Sequence, residues 1–306
     1  MTQDRPFLGI MLMLGFCILI PASDAIGKIL GATLPIALIV FFRVLSQVVL
    51  LGPLTWATGG KLIPEREHRL PVLMRTLLYM GGISMMYLAL RYLPLADAVA
   101  IAFVMPFIML LLGHWFLEEE VGGRRLWACV VGFIGTLLVV QPSFAAVGWP
   151  ALLPLGVAVL FALFMLVTRQ IAKAMDPVAL QATSGALAAL ILLPLLLMGS
   201  ALGWADLRFV GVTGGEVWLL VIMGLVGTVA HLLMTWSLRY APSATLAPMQ
   251  YLEIPFATIV GYLVFRDLPN GLAALGILIT ISAGLYIIAR ERSALQSPSP
   301  APPAGP

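Results

Sequence analysis

The chain is predicted to be an all-α membrane protein in which ten transmembrane helices form two inverted five-helix repeats around a central cavity. Three observations predict this. Hydrophobic residues make up 61% of the 306 positions and charged residues only 10%, whereas a soluble domain is about half apolar and about a quarter charged. Polar residues bunch at short intervals, and the stretches between them approach the roughly 20 residues that a bilayer crossing needs. The second half of the chain also echoes the first. Arg91-Tyr92-Leu93-Pro94 falls on Arg239-Tyr240-Ala241-Pro242 at a shift of 148, and Pro106-Phe107 falls on Pro255-Phe256 at a shift of 149.

The predicted spans are residues 7–27, 35–57, 70–90, 95–116, 125–141, 149–171, 178–200, 216–238, 244–265 and 271–289. The first opens after Arg5 and closes on Asp24 and Lys28. Pro21 removes one hydrogen bond inside it and is expected to bend it. The second contains Arg43, and the third runs into Arg91. Pro106 is expected to bend the fourth, which ends at Glu118-Glu119-Glu120. The fifth begins beyond Arg124 and Arg125. The sixth to tenth repeat this order, with His231 and Trp236 on the eighth and Pro248 and Pro255 bending the ninth. Residues 1–145 form the first repeat and 146–292 the second. Residues 293–306, rich in Pro, Ser and Ala, read as a disordered cytoplasmic tail.

Five spans per half is an odd number, so the second repeat enters the membrane upside down. With the N-terminus inside, twelve Lys and Arg lie on the cytoplasmic side and four on the other, with Arg43 in a span. Positive residues are retained inside, so both termini are expected in the cytoplasm of a bacterial-type inner membrane. Residues 7–23 mimic a signal peptide ending in Pro21-Ala22-Ser23. Only Arg5 precedes them as a positive residue, and removal would break the repeat, so they are taken as a retained span. Cys17 and Cys129 both fall within spans and suggest packing rather than a disulfide or metal framework.

Several mechanisms lack their motifs. There is no phosphate-binding G-x-x-x-x-G-K-[ST] loop, no H-E-x-x-H and no G-x-S-x-G. The short loops leave no room for a nucleotide-binding domain. No cofactor, metal or nucleic-acid partner is expected; the partners are the bilayer, a small molecule and, as a candidate coupling ion, the proton.

Residues that break the apolar rule mark the candidate site. Arg43 sits about eight residues into its span, where a charge costs about 2.5–3.5 kcal/mol on insertion scales. Gln47 lies one turn away on the same face. Either Arg43 is a cationic floor for an anionic group, or it pairs with Asp24 or a carbonyl, or snorkels outward. Its repeat counterpart is Gly185, so the charge belongs to one half. Asp24 and Lys28, four apart, share a face as an interfacial pair or as a gate. Glu253 is the other deep charge, with Gln250 assigned to its face at i−3 and Tyr251 beside it. It is either a ligand for a cation, a proton carrier or a buried protonated carboxyl. His231 is a packing histidine or a titrating one. Tyr87, Phe103 and Trp236 supply aromatic surface.

The runs Tyr87 to Pro106, Phe116-Leu117-Glu118-Glu119-Glu120, Gly132-Phe133-Ile134-Gly135 and Val139-Val140-Gln141-Pro142 resemble the repeat unit of EamA-type transporters of the drug/metabolite transporter superfamily. Asp24-Ala25-Ile26-Gly27-Lys28 followed by Phe41-Phe42-Arg43 is similar to a branch that includes S-adenosylmethionine-like carriers. The resemblance covers residues 7 to 290 and implies ten helices, cytoplasmic termini and alternating access around a central cavity. The family's usual Leu-Gly-Glu run is here Leu117-Glu118-Glu119, and Phe265-Arg266-Asp267 in the second copy. The expected function is secondary active transport of a small polar metabolite, an amino acid or similar zwitterion held between Arg43 and Glu253. The alternatives are a carrier for a cationic or nucleoside-containing metabolite such as S-adenosylmethionine, and a membrane-embedded enzyme.

Overall fold

A computed structural model describes residues 5–60, 62–118, 122–139, 148–267 and 271–296. All regular structure among them is helical: α1 (Pro6–Leu30), α2 (Ile36–Ala57), α3 (Arg66–Leu90), α4 (Leu95–Ala102), α5 (Met105–Leu117), α6 (Gly123–Val139), a 3-10 turn (Trp149–Leu152), α7 (Leu153–Ala172), α8 (Pro177–Leu202), α9 (Gly214–Tyr240), α10 (Ser243–Gln250), α11 (Glu253–Phe265) and α12 (Gly271–Gln296). Hydrocarbon offers no hydrogen bonds, so helices, which satisfy their own backbone, are the expected solution.

Helix occupies each of the ten apolar stretches. Seven segments are long and apolar enough to cross a membrane: α1, α2, α3, α4 with α5, Trp149–Ala172, α8 and α9. The apolar segments of α6, α11 and α12 are shorter. Large apolar side chains face outward along the helices. Exposed Trp56, Trp115, Trp127, Trp149 and Trp218 stand near helix ends, where the amphipathic indole suits a membrane interface.

Local chemistry sets the ends. The Asp176 carboxylate accepts from the Val178 and Ala179 amides, each at 3.0 Å, at the start of α8. Thr213 and Glu216 close a reciprocal capping box on α9. α1 runs unbroken through Pro21. The fourth and ninth stretches go further than a bend. Each breaks into two helices, at Phe103-Val104 and at Tyr251-Leu252, with Pro106 and Pro255 in the first turn of the following half. Proline is tolerated there because first-turn amides have no helical acceptor. Pro248 lies within α10, its side chain outside what is described.

The echo in sequence is an echo in structure. The two breaks lie 148 residues apart. So do Glu118 (φ 52°) and Arg266 (φ 61°), left-handed residues that end α5 and α11. Arg91 donates to the carbonyls of Gly31 at 3.2 Å and Leu34 at 3.3 Å, just past α1. Its counterpart Arg239 donates to Met175 O at 3.1 Å, just past α7. The repeated arginine therefore serves the same task twice: it satisfies carbonyls left over where the first helix of its own half ends. The most extensive helix contacts are α1 with α9, α3 with α7, α2 with α8 and α6 with α12. That pattern is unchanged when the halves are exchanged.

The helix α12 extends to Gln296, four residues beyond the expected end of the second repeat. Residues 297–306 of the expected tail, Glu119 and Glu120, and Val140 to Pro142 lie outside the described residues. Arg75, counted above among the cytoplasmic positive residues, is fully buried.

Candidate functional site

A cavity lies between the halves, bounded by α1, α2, α3, the broken α4–α5, α7, α9 and α11. Its volume is about 60 Å³. A cavity needs about 10–15 Å³ to hold one water, so this one has room for a few. Asp24, Arg43, Tyr87, Phe103, His231 and Glu253 all line it, with Phe16, Met86 and Phe161 among the apolar walls.

Arg43 is fully buried in the middle of α2. Its Nη1 donates to Ser23 Oγ at 2.8 Å and to Tyr87 Oη, and its Nε donates to Tyr79 Oη at 3.3 Å. The Asp24 carboxylate stands 3.7 Å from Nη1. Nη2 has no partner. The guanidinium lies against Gly227 of α9, where an added Cβ would sit 3.0 Å from Cζ and 3.1 Å from Nη2. Glycine is required there by close approach rather than by backbone angle. Gln47 Nε2 donates to the same Tyr79 oxygen at 2.8 Å, so Tyr79 accepts from two donors at once.

Glu253 is the first helical residue of α11, created by the break at Tyr251-Leu252. It is 8% exposed and sits at the positive end of that helix's dipole, a position that suits an anion. His231 is fully buried on α9. Its Nδ1 lies 3.0 Å from Gly227 O, and its Nε2 has no partner.

The other predicted residues stand elsewhere. Gln250 donates to Met109 Sδ at 3.3 Å, and Tyr251 donates to Cys129 O at 3.1 Å while its ring packs on Phe103 at 5.6 Å. Trp236 packs beside Leu51, Ala182 and Leu232. Lys28 turns from Asp24 to donate to Leu93 O at 2.7 Å, 5.0 Å from the Phe265 ring centroid.

Sequence reasoning missed two features. Ser23 and Tyr79 hold Arg43. Arg75, one turn before Tyr79 on α3, is a second buried guanidinium. Its donors reach Thr168 at 3.0 Å, Ser184 at 2.6 Å, Gln181 at 2.6 Å and Thr235 at 3.4 Å, with the Phe164 ring at 4.8 Å. All four acceptors are neutral and lie in the second half. The signal was present: Arg75, Tyr79, Ile83 and Tyr87 recur every fourth residue and so share one face.

The EamA-like transporter family matches residues 7–141 and again 148–290, which are the two halves that the structure repeats. The chain belongs to this family. Similar proteins include an S-adenosylmethionine uptake transporter of Rickettsia felis, 25% identical over 274 residues, 90% of each chain. A riboflavin transporter of Rhizobium johnstonii is 30% identical over 227 residues, covering 74% of this chain and 72% of its own. The pseudopaline exporter CntI of Pseudomonas aeruginosa is 27% identical over 291 residues, 94% of this chain and 96% of its own. A solved crystal structure shares the fold with a TM-score of 0.67 at 17% identity, covering 95% of this chain and 98% of that one. The protein is thus a multi-pass membrane transporter, and its relatives are named as carriers of small molecules.

Proposed function

We propose that this transporter is a secondary carrier for a small zwitterionic metabolite, an amino acid or a derivative of one, working by alternating access. One observation carries the reading: a guanidinium and a carboxylate, Arg43 and Glu253, line one cavity between the halves. Opposite charges on one cavity suit a cargo with an ammonium and a carboxylate, and Tyr87, Phe103 and Phe161 suit a flat or apolar remainder. S-adenosylmethionine, carried by one relative, has both charged groups.

In this reading the ten helical stretches are ten passes, five per half, with the second half inverted. The shared breaks, the shared left-handed residues and the exchange-symmetric packing support it. Inverted repeats rock against each other around a fixed midplane site. The cavity holds only a few waters as it stands, so in this reading it widens to admit cargo. Both termini are cytoplasmic: with Arg75 withdrawn to the interior, eleven positive residues remain on that side against four. Asp24 and Glu253 are the carboxylates available for proton coupling.

The test is a binding screen. Purified protein is heated with amino acids, S-adenosylmethionine, nucleosides, polyamines and quaternary amines. A ligand of the folded state at 100 times its Kd stabilises by about 2.7 kcal/mol and raises the melting temperature. A zwitterion hit lost in Arg43→Ala and in Glu253→Ala supports the reading; a zwitterion hit indifferent to both sinks it. A second reading, a purely cationic cargo, is favoured by the Asp24 carboxylate 3.7 Å from Arg43, which leaves Glu253 as the unmatched charge. Cationic hits that need Glu253 but not Arg43 would select it.

A further inference from the structure

Three buried polar atoms of the Arg43–His231 cluster lack a hydrogen-bond partner: Arg43 Nη2, Gln47 Oε1, which shares Tyr79 with Arg43, and His231 Nε2. Native interiors leave few such groups, and each calls for water, an ion or a ligand. Of these residues, Arg43 and His231 line the cavity itself.

His231 is the more constrained. Its Nδ1 faces Gly227 O at 3.0 Å. A carbonyl can only accept, so in the neutral ring the proton sits on Nδ1 and Nε2 presents a lone pair. The ring plane is fixed by near-perpendicular contacts with Phe16 and Tyr79, centroids 5.6 and 4.9 Å away. Phe161 and Phe164 pack at 6.4 Å. The inner nitrogen is used, the ring cannot turn freely, and the outer nitrogen is left without a donor.

We infer that His231 Nε2 is a specificity-determining acceptor, taking a hydrogen bond from a neutral N–H or O–H group of the cargo. This rests on the carrier reading above and narrows it. The cargo bears an amide, hydroxyl or ring N–H donor in addition to its ammonium and carboxylate. A site built to bond such a donor rejects the analogue that lacks it, because the buried acceptor is then left unpaired.

The experiment uses the full-length protein in detergent and two probe pairs. The first is L-glutamine with the γ-methyl ester of L-glutamate, which has no side-chain donor. The second is S-adenosylmethionine with its N,N-dimethyladenine derivative. Affinities come from melting temperature against ligand concentration. The wild type is expected to prefer the donor-bearing member of at least one pair by roughly tenfold in Kd. His231→Phe should abolish the preference by weakening the donor-bearing member alone, and His231→Gln, whose amide oxygen accepts, should keep part of it. Equal binding within both pairs, or a preference that survives His231→Phe, overturns the inference while leaving the carrier reading intact. If no member of either pair binds the wild type, the zwitterion reading itself fails for these probes, and the inference falls with it. Should His231→Phe not fold, the wild-type comparison decides alone.

Discussion

Replacing Gly227 by alanine adds one methyl group against the buried arginine. The new Cβ would lie 3.0 Å from Arg43 Cζ, 3.0 Å from Ser23 Oγ and 3.1 Å from Arg43 Nη2. The guanidinium has little freedom to yield, since Ser23, Tyr79 and Tyr87 already accept its other donors. Overpacking a close-packed interior costs about 1–3 kcal/mol. Against this, alanine gains about 1 kcal/mol over glycine in a helix interior. Gly261→Ala supplies the control: Gly261 is a buried mid-helix position of α11 with nothing within 4 Å of an added Cβ. It should gain about 1 kcal/mol without the clash. The difference between the two variants isolates the crowding, because the propensity gain is common to both. Heat unfolding of both proteins in one detergent is the assay. Gly227→Ala should melt below Gly261→Ala by the equivalent of about 1–3 kcal/mol and should weaken any zwitterion that needs Arg43. If Gly227→Ala melts as high as Gly261→Ala, the rigid guanidinium packing described here is wrong.

Other substitutions test the framework. Arg75→Ala leaves buried neutral acceptors without their donor and should destabilise by about 1–3 kcal/mol, whereas exposed Arg69→Ala should stay within about 0.5 kcal/mol; equal melting temperatures would remove Arg75 from the framework. Glu118→Gly and Arg266→Gly each relieve a left-handed residue that costs about 1–2 kcal/mol, so both should raise the melting temperature, and a fall in either would contradict the backbone described. Tyr87→Phe removes one acceptor from Arg43 and should cost about 1.5–3 kcal/mol, read as a lower melting temperature; a neutral result would mean that Ser23 and Tyr79 suffice.

Much of the fold was legible because bilayer length and apolar composition set where helices run, and because Pro106 and Pro255 announce the two breaks. The charges at Arg43 and Glu253 were legible for the same reason: each stands out against an apolar run. What surrounds them was less so. Gln250 was assigned to the face of Glu253 by helical spacing, but the break at Tyr251-Leu252 resets the register between them, and Gln250 points to Met109 instead. Arg75 lies a few residues inside its predicted span, and distance from a span end does not say whether an arginine snorkels out or turns in. Ser23 and Tyr79 are ordinary residues until Arg43 is placed between them. The direction of Lys28 depended on the carbonyl of Leu93, a tertiary partner 65 positions away.

The seat of Arg75 bears on how the chain is built. Its guanidinium belongs to the first half, and Thr168, Gln181, Ser184 and Thr235, which hold it, are all synthesised later. While the first five apolar stretches leave the ribosome, Arg75 has none of its final partners. The first repeat therefore cannot reach its final packing before the second is present. The guanidinium has its full set of acceptors only where α7, α8 and α9 surround it, so the first half by itself leaves this charged seat incomplete.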